Sequence, residues 1–483
     1  MIAHRFVAGA LLLAAVLCGD VADARSVLLG GRSASMGMAT IATGDDGAMP
    51  YLNPAGLVNT ADDTLSISAN LYLHQRLVHR DWFVPGAPRS ELGELRHTDA
   101  DRTSTSFTGM PSSVSYMLHL GERGKRWHQV IALSLLVPDV ERRSAVDDFD
   151  YLTQGGLVNL GGRSNVTQLL STELYLAGAS YAVELNRYVK LGASAFYAHD
   201  RRAASTVAKF IDFFGTGEDF TSTDSSVSVS SVAHGLLFAV GAQLSLPWVR
   251  LGAALQPPSI HLDGDYRSSL KETRIALAAG GSTQIVHEES RGEYTVRHPL
   301  SARFGAALVL RRWTIEAAMT LVAGDDSARE ARGTTRRLRV AQLEPASGTT
   351  ADLDLRVEQR QVVNAALGLE FAVNDKLTLR AGAYTDLDRA PTLPDALESE
   401  DLGLEHIDFI GATLGASYDL AGGTTEIGIG FAHGFGEAST LNAFAEGSQP
   451  PVTVDVRAFN LMFILAGTLS VDELKGQLTG GGR

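Results

Sequence analysis

Past residue 60 the chain alternates. Between 64 and 74, Leu65, Ile67, Ala69, Leu71 and Leu73 fall on one face of an extended segment and Ser66, Ser68 and Asn70 on the other. That is the period-two pattern of a half-buried strand. The alternation recurs at about 113–120, 127–137, 173–185, 188–199, 234–244, 249–255, 301–310, 313–322, 362–371, 376–384, 407–418, 425–434 and 458–471. It predicts about fourteen strands, each near the 9 to 11 residues that a tilted strand needs to cross a bilayer. Val363, Ala365, Leu367, Leu369 and Phe371 would meet lipid while Asn364, Ala366, Gly368 and Glu370 face inward. Likewise Trp313, Ile315, Ala317, Met319 and Leu321 alternate with Thr314, Glu316, Ala318 and Thr320. Charges thus fall on the inner side, as they must where a charge facing the mid-bilayer costs roughly 2 to 4 kcal/mol.

The spacing between segments has its own rhythm. Every second connection is a tight turn: Asn186-Arg187, 245–247, Arg311-Arg312, Asn374-Asp375, 420–423 and the basic stretch 121–126. The others, 75–106, 138–170, 200–230, 323–357 and 385–405, are long, polar and charged, and are expected to be loops. Short turns at one end and long connections at the other are the signature of an outer-membrane barrel. A secreted β-sandwich offers no reason for long loops strictly at one end, and no Pro- or Ser-rich linker divides the chain into the several domains it would need. The expected fold is all-β, an antiparallel transmembrane β-barrel of about fourteen strands over 63–471.

The N-terminus changes the compartment. His4 and Arg5 precede the apolar run 6–17, and Ala22-Asp23-Ala24 follows. A run this short with an Ala-x-Ala site reads as a secretory signal, 1–24, cut before Arg25. Cys18 is the only cysteine and lies within it, which excludes disulfide and thiolate chemistry from the mature chain. Losing Arg5, Asp20 and Asp23 takes the formal charge from −14 to −13, and a chain this acidic repels phosphate backbones, so nucleic acid is not a partner. Mean hydropathy near zero separates nothing. Glycine does more, since 49 in 483 exceeds the norm of roughly 7 per cent and helix-period segments are scarce. Aromatic residues at 7 per cent are thin for two interfacial girdles. After the last strand comes a tail, 472–483, in place of a terminal aromatic.

Residues 25–62 do not alternate. Gly30, Gly31, Gly37, Gly44, Gly47 and Gly56 are spread among Val27, Leu28, Leu29, Met36, Met38, Ile41, Met49, Leu52 and Leu57, too many apolar residues for a disordered tail. A barrel of this size encloses more volume than its own side chains fill, so a compact N-terminal plug inside the lumen is expected. The run Gly31-Arg32-Ser33-Ala34-Ser35-Met36-Gly37, then Gly44-Asp45-Asp46-Gly47-Ala48, then Tyr51-Leu52-Asn53-Pro54-Ala55-Gly56-Leu57 resembles the N-terminal hatch of the outer-membrane long-chain fatty-acid and aromatic-hydrocarbon transporters, the FadL/TodX type. Similar echoes are Arg250-Leu251-Gly252-Ala253-Ala254 before Pro257-Pro258, His298-Pro299-Leu300 before Arg303-Phe304-Gly305, and 379–384 before Pro391 and Pro394.

The resemblance implies a fourteen-stranded barrel in the bacterial outer membrane, monomeric, surrounded by outer-membrane lipid and without a cofactor. It implies passive uptake of hydrophobic small molecules, fatty acids or hydrocarbons, which are caught among external loops, held against the hatch and released sideways through the wall. The predicted third strand, 127–137, contains no Gly or Pro to explain such an opening. Some relatives serve instead as scaffolds or shuttles in protein secretion and surface attachment, with the long loops as docking surfaces.

Candidate chemistry is sparse. Arg303 and Arg380 face inward and could hold a fatty-acid carboxylate in a low-dielectric lumen, but pairing with Glu316 or Glu370 to stiffen the barrel is the expected use. Asp45 and Asp46 could bind a cation or a plug-to-wall arginine, or form a solvated turn. The thirteen histidines are scattered without metal-ligand spacing, and the Gly-x-Ser-x-Gly signature is missing. His119, His128, His199 and His433 on predicted strands are expected to be interfacial or lumen residues of a protein that is not an enzyme.

Overall fold

The computed structural model describes residues 28–60, 63–83, 93–121, 127–155, 160–214, 219–277, 281–342, 344–394, 405–420, 422–440 and 451–471. The leader 1–24, the tail 472–483 and most of the 121–126 turn lie outside the described residues. Among those described, no helix is long and apolar enough to cross a membrane.

Numbered along the chain, the strands begin β1 (Thr64–His79), β2 (Gly93–His97), β3 (Arg102–Leu120), β4 (His128–Gly155), β5 (Leu160–Glu184), β6 (Val189–Phe214) and β7 (Asp219–Ser245). Next come β8 (Val249–Gln256), β9 (Ile260–Leu277), β10 (Ser282–Val296), β11 (Ser301–Val309), β12 (Trp313–Val322), β13 (Asp325–Ala341) and β14 (Glu344–Gln359). The series ends with β15 (Val362–Ala372), β16 (Leu377–Asp386), β17 (Glu405–Leu420), β18 (Gly423–Thr440) and β19 (Val452–Ser470). Fourteen of them close a ring in which each pairs antiparallel with its neighbours: β1, β3 to β8, β11, β12 and β15 to β19. The seam is the β1–β19 ladder, from Thr64 opposite Ser470 to His79 opposite Val456. Closure leaves the sheet without a free edge strand in the bilayer, where an unpaired backbone amide has no water to bond. All fourteen alternating segments of the sequence fall on these fourteen strands.

The strands are longer than the alternation predicts, and this corrects the expectation of long loops. β4 to β7 run for 28, 25, 26 and 27 residues, so 138–170 and 200–230 are mostly strand. Segment 323–357 is β13 and β14, and β9 and β10 add a further hairpin. Beyond β7 the sheet continues in the order β9, β10, β13, β14 as a palisade on the long-connection side. Above the membrane polar residues are used on both faces, so hydrophobic alternation lapses although the hydrogen-bond ladder goes on. Strand β7 shows this at Asp224, Ser225, Ser226, Val227, Ser228, Val229 and Ser230. Described parts of segment 75–106 belong to β1, β2 and β3, while residues 84–92 of it and 395–404 of 385–405 are outside those described.

The exterior is apolar. Leu133, Leu135, Val240, Leu367, Leu414 and Ile427 are exposed on the outer face, so the chain is a multi-pass outer-membrane β-barrel. The thin aromatic total is explained by where the aromatics are placed. Trp127, Tyr181, Tyr188, Trp248, Trp313 and Tyr418 are exposed at the short-turn, periplasmic end, and Phe107, Tyr197, Phe304, Phe435 and Phe459 nearer the other. Trp313 packs against Phe371 with ring centroids 4.2 Å apart and the planes tilted by 32°.

Residues 28–60 lie inside the ring. Leu29, Met36, Ile41, Met49, Leu57 and Val58 are buried, each contributing about 1.5 to 3 kcal/mol of transfer free energy. The wall makes room with cross-strand pairs of glycine: Gly192 with Gly241, Gly252 with Gly305, Gly368 with Gly382, and Gly415 with Gly428. A Cβ on Gly192 would strike Pro54 and Ala55, on Gly252 or Gly305 Ile41, on Gly368 or Gly382 Met36, and on Gly415 Ser35. At Gly382 a Cβ would lie 2.3 Å from the backbone nitrogen of Gly37, whose φ of 63° also favours glycine. Gly382→Leu overpacks this contact, at about 1 to 3 kcal/mol. The barrel is expected to keep its heat-modifiable gel mobility while the N-terminal segment becomes several-fold more sensitive to protease. Equal protection in both proteins would show that the belt does not set the fit.

Candidate functional site

The hatch has little regular structure of its own. It holds helical turns at Arg32–Ser35 and Met49–Leu52 and a 3-10 helix at Pro54–Asn59. Four-residue helices leave most of their backbone groups without partners, and side chains supply them. Asn53, extended at φ −160° and ψ 97°, accepts from Ala55 N at 3.2 Å and so caps the 3-10 helix, with Pro54 at its first position. Its Nδ2 donates to Ile41 O at 2.8 Å and to Ala242 O of β7 at 3.2 Å. The Asn-Pro-Ala-Gly-Leu motif is therefore a clamp between two turns of the hatch and the wall. Ala55 and Leu57 are fully buried, and a Cβ at Gly56 would lie 2.7 Å from the Met49 sulfur.

The two aspartates part company. Asp46 is buried and accepts from Ser33 N at 2.8 Å, Ser33 Oγ at 2.9 Å and Ala48 N at 3.2 Å, closing the hatch on itself. Asp45 is half-exposed and pairs with Arg32 of the hatch at 3.3 Å, not with a wall arginine. Arg32 also reaches the wall, with Nε donating to Glu370 at 2.8 Å, and Nη1 donating to Thr43 O at 2.6 Å. Glu316 of β12 accepts from Ala42 N and Thr43 Oγ1, both at 2.6 Å. Gln243, Ser194, Ser115 and Thr413 donate to hatch carbonyls at Ile41, Pro50, Gly47 and Ser35. These wall tethers were not legible as site residues, because an inward Ser, Thr or Gln is ordinary in any barrel lumen.

The two inward arginines take different roles. Arg380 pairs with Glu370 at 2.7 Å and Glu426 at 2.9 Å, the stiffening use. Arg303 departs from that expectation. It is 6% exposed, its guanidinium stands 4.6 Å over the Tyr51 ring, and it donates to Tyr51 O at 3.2 Å and Gln256 Oε1 at 3.4 Å. Among the described residues it has no carboxylate partner. Arg303 lies two residues from the outer end of β11, whereas Arg380 lies three from the periplasmic end of β16. The hatch separates them.

The surroundings of the two sides differ accordingly. Toward the outside, Tyr51 packs on Leu136, Leu174, Leu176, Phe196 and Leu237 from β4 to β7, and Leu77, Ile407, Phe409, Val456 and Tyr384 form an apolar patch across the lumen. Toward the periplasm lies a cleft of about 240 Å³ lined by Arg32, Asp45, Arg250, Glu370 and Arg380. No metal-ligating cluster occurs among the described residues.

The wall is interrupted on one side. β3 pairs with β4 at Thr105 opposite Ser144 and again from Ser113 opposite Leu136, with no β3–β4 pairs between these points. β4 also slips its register against β5 between Leu136 and Asp139. Two prolines stand at the break, Pro138 on β4, one residue past the predicted end of this strand, and Pro111 on β3, and neither has an N–H to give to a ladder.

Burial pushes the Asp46 carboxyl up to about 6, against the hydrogen bonds from Ser33 and Ala48 that pull it down. A folded-state value above the ordinary 3.8 means that the folded hatch holds the proton more tightly. Its contribution is therefore full at low pH and lost as pH rises through about 6. Amide exchange at Ser33 and Ala48 is expected to slow several-fold from pH 7 to pH 5 after correction for intrinsic rates, and Asp46→Asn is expected to flatten that response. The same pH response in the variant would assign it to another group.

No family profile and no curated sequence matches this chain. Solved structures do. A FadL homologue from Pseudomonas aeruginosa is 15% identical over 93% of this chain and 100% of its own, with a TM-score of 0.54. The toluene transporter TodX of P. putida is 16% identical over 92% and 98%, at 0.52, and the toluene transporter TbuX of Ralstonia pickettii 14% identical over 92% and 98%, at 0.51. At these identities the likeness is one of fold, and the fold is that of the FadL/TodX-type channels, an antiparallel fourteen-stranded barrel around an N-terminal hatch.

Proposed function

We propose that this chain is an outer-membrane channel for passive uptake of hydrophobic small molecules. The observation that carries the reading is the asymmetry across the hatch, two apolar patches on the walls above and a charged cleft below. An apolar solute gains about 25 cal/mol per Å² on leaving water for the upper chamber, and would lose it again at Arg32, Arg250 and Glu370. The break between β3 and β4 offers another way out. It begins eight residues from the periplasmic end of β3, near the height of the outer leaflet. A solute leaving there passes from protein to lipid without meeting water. Uptake by this path is partition, driven by the solute's own gradient, and needs no catalytic group. The fold shared with toluene transporters and a FadL homologue supports an apolar cargo.

Within that class we assign Arg303 to a cargo carboxylate. A buried guanidinium held only by a ring face, a carbonyl and an amide has anion-binding capacity to spare, whereas Arg380 is consumed by two glutamates. Titration of the purified protein with a long-chain fatty acid, an alkane and an alkylbenzene tests both statements. Fatty-acid affinity is expected to fall about tenfold or more in Arg303→Met, as expected for loss of a charge-assisted pair, with hydrocarbon affinity little changed. Equal loss for all three ligands would remove Arg303 from carboxylate recognition. Binding of none of them to the parent protein would end the channel reading and favour a docking role for the palisade.

A further inference from the structure

Where β4 leaves β3, a buried ion network crosses the lumen. Arg143 of β4 reaches Glu405 of β17 at 2.9 and 3.2 Å, and its Nε donates to Glu141 at 2.5 Å. His79 of β1 closes on the same Glu405 at 3.7 Å. The side chains of Arg143, Glu141 and Glu405 are 9%, 1% and 7% exposed. β4 and β17 are not neighbours in the ring, being separated by β18, β19, β1 and β3. The contact is therefore a chord across the barrel rather than a cross-strand pair.

We propose that the Arg143–Glu405 crossbar holds β4 away from β3 and so sets the aperture of the side window. Three observations converge on it. The register on the two sides of the break is the same, since Thr105 opposite Ser144 and Ser113 opposite Leu136 continue one ladder, so nothing in residue count prevents β3 and β4 from pairing throughout. Pro138 and Pro111, which would face each other in a continued ladder, each remove one amide but leave 139–143 able to pair with 106–110. Arg143 is the last residue before pairing resumes outward, so the crossbar grips β4 at the upper end of the break. Burying these charges is costly unless they are paired, which gives the network a steep preference for the one geometry that pairs them. Arg143 and Glu405 are positioning residues in this account, and neither is assigned a contact with cargo.

The inference rests on the channel reading for its purpose, but its test does not. If the ladder were continued through the break, Gly109 would face Val140. Gly109→Cys and Val140→Cys introduce a thiol pair into a chain whose one cysteine, Cys18, lies in the predicted leader. In outer membranes under a mild oxidant, little disulfide is expected from this pair alone. Adding Glu405→Lys, which sets two cations against each other, is expected to raise the yield at least fivefold, and the gentler Glu405→Gln by a smaller factor. Heat-modifiable gel mobility selects the folded barrel in each sample, so the Gln variant decides the matter if the Lys variant does not assemble. A yield unchanged from the parent pair in folded barrels overturns the crossbar. Closure of the break with fatty-acid and hydrocarbon uptake unaltered would uphold the crossbar and overturn the side route.

Discussion

The contact between hatch and wall governs this structure. A segment whose longest helix spans six residues cannot satisfy its own backbone, and in isolation it would stay solvated. Inside the ring it meets glycine where it must come close and Glu316, Gln243, Ser194 or Thr413 where it must be hydrogen-bonded. The cost of ordering some thirty residues, about 1 to 2 kcal/mol each for the backbone, is offset by apolar burial against the wall and by these tethers together.

That contact divides the lumen into two chemically different chambers. The hatch offers the ring of Tyr51 to the outer chamber and Arg32 and Asp45 to the periplasmic cleft. The charges that fasten it therefore also make the direct way down unfavourable for an apolar solute. Anchoring and direction follow from one arrangement of side chains. The break between β3 and β4 then supplies a path that a sealed ring would deny, at the level where lipid replaces water.

Much of the fold was legible in the residues. Lipid on one side and a polar lumen on the other impose a strict period of two on every spanning strand, and that constraint is local enough to be seen one segment at a time. The palisade was not legible for the complementary reason. Above the bilayer polar side chains serve both faces of β7, Ser225 on the buried one and Ser228 on the exposed one, and burial that hydrophobicity does not follow leaves no mark on the pattern. Pro138 shows the limit in a single residue. The predicted segment stops at 137, whereas in the ring β4 continues past Pro138 and pairs with β5 again from Asp139 opposite Leu174.

The sequence by itself determined the fourteen spanning strands, the alternation of their faces and the presence of a compact segment before them, since each follows from solvent contact along a continuous stretch of chain. It also marked Asn53, Pro54 and Gly56 through their local conformational demands. Only the tertiary structure decided which inward residues meet. Arg380 finds two glutamates and Arg303 finds none among the described residues, Glu370 serves Arg32 from 338 positions away, and Arg143 finds Glu405 across 262. Those pairings depend on ring closure and shear, which set neighbours by the geometry of the whole barrel and leave no periodic trace in any one strand.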